Sequence, residues 1–274
     1  MSKDIRLIAA DMDGTLLNTT GDISAFNLEM IRKAQQAGII FAACTGRYPE
    51  NASQIMLNAG LNGPVVSLNG AVVETAPNAG RIHELFLSEK AAREVFSRLE
   101  ELGEGYHIFG KATVASRRDW PRHISETDAD MAAILKRNVR YSYGYDACSA
   151  ALSRPIFKFF VYYSQGSHSL REIADRLSDI PGTEITQSGT RNLEIMPEGA
   201  DKGGGLQILA GRLGIGREEV MALGDQFNDL AMIKWAGKGI AMGNAIDEVK
   251  QAAFGVTDSN EEDGVGKAIA KYCF

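Results

Sequence analysis

Cysteine is scarce in this chain. Three occur among 274 residues, at Cys44, Cys148 and Cys273, with no Cys-x-x-Cys spacing, which argues against a disulfide framework. Histidine is almost as rare, and His83, His107, His123 and His168 are scattered without ligand spacing. An excess of basic charge is also missing. The formal net charge of −6 leaves no basic face of the kind a nucleic-acid binder carries, so no nucleic-acid partner is expected. Long apolar runs are absent too: the longest, Pro155 to Tyr163, is short and carries Lys158, so no membrane span is expected. Asp4 and Asp11 bracket an apolar segment too short for the core of a secretory signal, and a reduced, cytoplasmic setting is the expectation. The glycosylation-like triplets at Asn18 and Asn51 carry no weight without such a signal.

What is present is ample core material, 45% hydrophobic residues, in a length that suits one large or two ordinary domains. Strand and helix signals alternate from the start. Ile5–Ala10 reads as a strand, and Ser24 caps a helix that runs to Gly38. Ile39–Cys44 is a second strand, Pro49 opens a helix ending at Gly60, and Val65–Leu68 is a third strand followed by the two-residue hairpin signal Asn69-Gly70. That alternation predicts a doubly wound, Rossmann-like parallel sheet. From about residue 83 to 191 the pattern changes. Thirteen of the 21 aromatic residues fall there, with an amphipathic helix from Ser88 to Gly103 whose apolar positions follow helical spacing. Alternation resumes with a helix from Lys202 to Leu213, strands at Val220–Leu223 and Gly239–Met242, and a last helix near Gly264–Tyr272. The expected architecture is an α/β core of residues 1–82 and 192–274, interrupted by an inserted α+β cap at 83–191.

The chemistry-bearing residues fall at corresponding places in this layout. Asp11, in Asp11-Met12-Asp13-Gly14-Thr15, follows the first strand, and Thr45, in Thr45-Gly46-Arg47, follows the second. Lys202 opens a helix, and Asp225, in Gly224-Asp225-Gln226-Phe227-Asn228-Asp229, follows a later strand. The C-terminal ends of parallel strands share one sheet edge, where ligands bind, so these residues are expected to converge. Asp11 and Asp225 would form an all-oxygen site for a hard cation such as Mg²⁺. Thr45, Lys202, Asn228 and loop amides would supply donors for phosphoryl oxygens. One carboxylate can act as nucleophile while Asp13 handles the proton.

With these motifs in this order, together with Ser67-Leu68-Asn69-Gly70-Ala71 and Ala241-Met242-Gly243-Asn244-Ala245, the chain resembles the haloacid-dehalogenase superfamily phosphatases, most closely their Cof-type sugar-phosphatase branch. The resemblance implies Asp11 as nucleophile and Asp13 as general acid/base. It implies Mg²⁺ held by the Asp11 carboxylate, the Asp13 backbone carbonyl and Asp225. Thr45, Gly46, Lys202 and Asn228 would hold the phosphate, joined by the Met12 and Asp13 amides, with Asp229 and Arg47 behind them. The reaction implied is hydrolysis of a small phosphorylated metabolite through an aspartyl-phosphate. A phosphotransferase or mutase would share this core, and a phosphate sensor is the non-catalytic alternative. The sequence names neither the particular metabolite nor an oligomeric state.

Several weaker signals read otherwise. Asp-x-Asp-Gly alone resembles a calcium-loop fragment, but the ligand pattern does not continue past Thr15. Gly203-Gly204-Gly205 follows a lysine, unlike a P-loop, and reads as close backbone approach. The basic stretch from Arg117 to His123 is either a solvated loop or an element recognising an anionic or ring-bearing substrate.

Overall fold

The computed structural model describes residues 5–111, 113–117, 140–162, 168–187 and 192–274. The chain divides into two compact units: residues up to Glu84 with Asp201–Phe274, and Leu85–Ala200.

The first unit is built on β1 (Leu7–Ala10), whose four residues are all buried. Ser24 then caps α1 (Ala25–Gln36), its hydroxyl accepting from the Asn27 N–H at 3.1 Å. Met30, Ile31 and Ala34 form the buried stripe of α1, and Gly38 turns the chain at φ +84°. β2 (Ile40–Cys44), α2 (Pro49–Asn58) and β3 (Val65–Ser67) follow. After a tight turn at Leu68–Gly70 come β4 (Val72–Ala76) and β5 (Ala79–Glu84).

The alternation predicts a parallel sheet, with a hairpin signal at Asn69-Gly70 after the third strand. The structure adds the antiparallel β3–β4–β5 meander at one edge, so the first segment extends through Glu84 rather than ending at 82. His83 consequently lies in β5 and not in the insert.

The second unit contains α3 (Glu89–Leu102), capped by Ser88 and ended by Gly103 at φ +68°. Its strands are β6 (Tyr106–Gly110), β7 (Thr113–Ser116), β8 (Arg140–Tyr143), β9 (Ile156–Tyr162), β10 (Thr183–Thr186) and β11 (Asn192–Pro197), with helices α4 (Tyr145–Ala151) and α5 (Leu170–Leu177). They form a six-stranded sheet in the order β10-β11-β9-β6-β7-β8. β11 corrects the expected boundary at 192. It pairs antiparallel with both β9 and β10, so residues 192–200 belong to the second unit. Along β6 alternation divides the faces. Tyr106 and Ile108 join the apolar cluster with Val95, Leu99, Cys148 and Leu177. His107 belongs to the opposite face, stacked on Tyr162 at 4.9 Å and Phe160 at 6.2 Å, with the buried Lys158–Glu194 pair at 2.5 Å.

Back in the first unit come α6 (Lys202–Leu213), β12 (Val220–Gly224), α7 (Leu230–Trp235), β13 (Lys238–Ala241), α8 (Asp247–Ala252), β14 (Gly255–Val256) and α9 (Gly264–Cys273). The sheet order is β14-β13-β12-β1-β2-β3-β4-β5, parallel from β14 to β3. Ile8 and Ala10 pack with Met30, Ile31, Val265 and Ile269 on one face, Leu7 and Ala9 with Leu206, Leu209 and Met232 on the other. Strand order reverses at β1, the switch point at which an open α/β sheet leaves a crevice. Among the described residues no helix is long and apolar enough to cross a membrane.

Candidate active site

Asp11 leaves the end of β1 with its N–H on the Leu223 carbonyl of β12 at 3.0 Å, which fixes it at the switch point. The next turn needs Gly14. Its φ is +75°, and a Cβ there would lie 2.5 Å from Asp225 Oδ2. The turn and Asp225 are joined directly, since Thr15 Oγ1 donates to Asp225 Oδ1 at 2.9 Å. Asn244, just after β13, donates Nδ2–H to the Gly14 carbonyl at 2.8 Å.

Lys202 is the first residue of α6, whose cap Asp201 accepts from the Gly204 N–H at 2.9 Å. Three glycines follow in the first turn, each costing about 0.5–1 kcal/mol relative to alanine in a helix. Contact distance explains the choice: a Cβ on Gly205 would stand 2.7 Å from the Gly70 Cα. Close backbone approach was the sequence expectation for this run, and α6 packs that way.

Lys202 is fully buried and its Nζ bridges two carboxylates, Asp11 Oδ1 at 2.7 Å and Asp229 Oδ1 at 2.6 Å. The second Asp229 oxygen accepts the Asp225 and Gln226 N–H groups at 2.8 and 2.9 Å. Asp11, Asp225 and Asp229 can bring one oxygen each within 4.8 Å of one another. Burial, then the neighbouring Asp229 charge, holds the Asp11 carboxyl well above its ordinary range. The same two causes push Asp225 up to about 6. Burial opposes the charge on Lys202, but the two carboxylates outweigh it and keep the ammonium protonated. With all three carboxylates ionised, as a bound cation requires, the one ammonium leaves two negative charges unbalanced, and the raised Asp11 and Asp225 carboxyls express that excess. An all-oxygen donor set with that excess fits a hard divalent cation such as Mg²⁺. Asp229 is committed to Lys202 and two amides, which leaves Asp11 and Asp225 as the carboxylates open to an ion.

Asp13 stands apart from this cluster. Its side chain is 53% exposed and meets Arg47 in a two-pronged pair, Nε to Oδ2 at 2.7 Å and Nη2 to Oδ1 at 2.5 Å. Arg47 also donates to Asn51 Oδ1 of α2 at 2.8 Å. Thr45 is buried at the end of β2, and its hydroxyl accepts the Arg47 N–H at 3.1 Å across Gly46. Met12 is buried in the apolar core beneath the loop. Asn228, in the turn Phe227–Asp229, donates to Asn69 Oδ1 at 3.1 Å.

The expected loops are therefore linked by one series of contacts. Asp225–Thr15, Asp11–Lys202–Asp229 and Thr45 form its buried part, and Arg47–Asp13 and Asn228 its rim. Thr15, Asn51, Asn69 and Asn244 join the site without a role assigned from sequence. The signal for Asn69 and Asn244 lies in the motifs at 67–71 and 241–245. Of the basic stretch, residues 118–123 lie outside the described residues. Arg117 is within them and pairs with Glu100 at 2.7 Å. Cys44 is buried, its thiol pushed up by burial, so it offers no thiolate.

Comparison with known proteins fits this geometry. The model of a family described as haloacid dehalogenase-like hydrolase matches residues 8–269. The phosphatase YwpJ of Bacillus subtilis (strain 168) is 30% identical, over 95% of this chain and 97% of its own length. The 5-amino-6-(5-phospho-D-ribitylamino)uracil phosphatase YcsE of the same organism is 32% identical, over 97% of this chain and 95% of its own. Among solved structures, a haloacid dehalogenase-like hydrolase from B. subtilis superposes with a TM-score of 0.84 at 27% identity, covering 97% of this chain and 99% of that one.

Proposed function

This chain belongs to the haloacid dehalogenase-like hydrolases, and from that premise we propose that it is a Mg²⁺-dependent phosphatase acting on small phosphomonoesters through an aspartyl-phosphate on Asp11. The observation that carries the reading is the buried Asp11–Lys202–Asp229 bridge beside Asp225, two positive charges short of neutrality when its carboxylates are ionised. Mg²⁺, held by the Asp11 and Asp225 carboxylates and the Asp13 carbonyl, would supply positive charge to the phosphoryl oxygens.

The residues then divide the work. Thr45, the Gly46, Met12 and Asp13 amides, Lys202 and Asn228 hold the phosphoryl group in line with Asp11. An Asp11 oxygen forms a bond to phosphorus as the ester P–O bond breaks, and the leaving oxygen takes a proton from Asp13. Asp13, now ionised, takes a proton from a water whose oxygen attacks phosphorus. The bond to Asp11 breaks, and inorganic phosphate leaves. Lys202 fixes the Asp11 carboxylate from one side throughout, and Arg47 pairs with Asp13 in its ionised form, the form that takes the proton from water. By the family resemblance, choice of the leaving group would fall to the inserted unit.

The test is phosphate release from a panel of phosphometabolites, with Mg²⁺ and with EDTA, wild type beside Asp11→Asn. Sugar phosphates and nucleotides belong in the panel. So does the ribitylaminouracil phosphate for which the 32% identical relative is named. We expect release that EDTA abolishes and that Asp11→Asn lowers by about 10³-fold or more. Substantial activity in the variant, or metal-independent release, refutes the reading.

A further inference from the structure

The turn between β3 and β4 has an unusual backbone. Leu68, Asn69 and Gly70 all have positive φ, 49°, 50° and 93°, although only one of them is glycine. Left-handed backbone at two successive non-glycine residues is strained, and such strain persists only where the surroundings fix it. Here they do. The Leu68 N–H meets the Arg47 carbonyl at 2.9 Å, and the Asn69 N–H meets the Thr45 carbonyl at 3.0 Å. On the other side Gly70 lies so close to α6 that a Cβ on it would stand 2.1 Å from the Asp201 carbonyl oxygen. The turn is therefore wedged between the loop that carries Thr45 and the helix that starts at Lys202.

Asn69 adds the third connection. Its side chain is buried, and its Oδ1 accepts the Asn228 amide at 3.1 Å. Asn228 Oδ1 is buried and has no partner among the described residues. The Asn69 carboxamide is thus what orients Asn228. We propose that Asn69 is the positioning residue for the phosphoryl group, an inference resting on the phosphatase reading above. Its backbone N–H holds the Thr45 loop, and its carboxamide turns Asn228 so that the second hydrogen of Nδ2 is left for a phosphoryl oxygen. One residue in a strained turn sets two of the arms that grip the phosphate. Asparagine suits both duties, since it tolerates the left-handed region and carries an acceptor at the right reach.

Asn69→Gly and Asn69→Ala separate the two duties. Both delete the carboxamide, but glycine accepts φ +50° freely and alanine does not. The measurement is the inhibition constant of inorganic phosphate with KM, kcat and Tm for both variants, for Asn228→Ala, and for Asn69→Gly combined with Asn228→Ala. Both Asn69 variants should raise the phosphate inhibition constant and KM, Asn69→Gly by about fivefold to tenfold, within the range of one ordinary hydrogen bond. Asn69→Ala, which also strains the turn that holds the Thr45 loop, should lose more than Asn69→Gly and lower Tm further, and in both kcat should change less than KM. The double variant should be no weaker for phosphate than Asn228→Ala alone. An unchanged inhibition constant in Asn69→Gly, identical losses in the glycine and alanine variants, or losses that multiply in the double variant overturn the assignment. Wild type that neither hydrolyses phosphomonoesters nor binds inorganic phosphate overturns the phosphatase reading itself, whereas an active wild type with unaffected Asn69 variants overturns only this inference.

Discussion

Replacing Lys202 with Met keeps the length and the apolar stem but removes the ammonium that separates Asp11 from Asp229. In the wild type Nζ lies 2.7 and 2.6 Å from the two carboxylates with no exposure to solvent. Removing one partner from such a buried pair typically costs about 3–5 kcal/mol, because the charges left behind have neither water nor a counter-ion. The cluster also moves from two unbalanced negative charges to three, which strengthens its hold on a divalent cation. Saturation at a hundred times Kd adds ~2.7 kcal/mol of stability, and each tenfold tightening of Kd adds ~1.4 kcal/mol at the same concentration. The assay is urea unfolding in EDTA and in Mg²⁺, followed by fluorescence of Trp235 at the end of α7, in the unit that carries the site. We expect the variant to lose about 3–5 kcal/mol in EDTA and to regain more from Mg²⁺ than the wild type gains. A variant as stable as wild type in EDTA, or equal gains from Mg²⁺ in both proteins, would refute the charge argument on which the metal site rests.

Two further outcomes follow from contacts elsewhere. Arg47→Lys cannot reproduce the two-pronged grip on Asp13 and should lower kcat by about tenfold, with Arg47→Gln nearer 10²-fold; steady-state kinetics showing unchanged kcat would remove Arg47 from the positioning of the acid. Burial lowers the His107 pKa to about 3, so the folded state refuses a proton that the unfolded chain accepts below about pH 6.5. The stability this residue contributes is full above that pH and falls by up to ~1.4 kcal/mol per unit as pH drops toward 3. Urea unfolding at pH 7 and pH 5 should therefore show the wild type losing about 2 kcal/mol more than His107→Phe, and parallel losses would contradict the assignment.

Much of the core was legible because its signals are local. Ser24, Ser88 and Gly103 mark helix ends through their own side-chain or backbone chemistry, and α6 occupies Lys202–Leu213 as read. β11 was misassigned because an alternating six-residue strand carries no mark of the sheet it will join. Its partners β9 and β10 are chosen by packing. The six-residue α8 and two-residue β14 are too short to show a period. Asn69-Gly70 announced a turn, but nothing local announces that Leu68 shares the left-handed backbone, since Leu68 is held there by Arg47 from another loop. The site was readable to the same depth. Its members follow from strand ends, while the pairing of Arg47 with Asp13 and of Asn228 with Asn69 depends on loop geometry that spacing does not encode.

The split of the first unit has a consequence for the order of assembly. β1 pairs with β12, Leu7 lying opposite Val220, so the centre of the eight-stranded sheet cannot close until the second unit has been synthesised. The contacts of residues 85–200 are all available by then, and local contacts form faster than distant ones. During synthesis β1, β2 and β3 wait as apolar strands with one side of β1 unpaired, the condition in which strands associate with the wrong partner. Asp11 and Asp225 meet only when β12 docks, so the carboxylates that repel one another are brought together in the last step, after most of the chain's apolar surface is available to hold them.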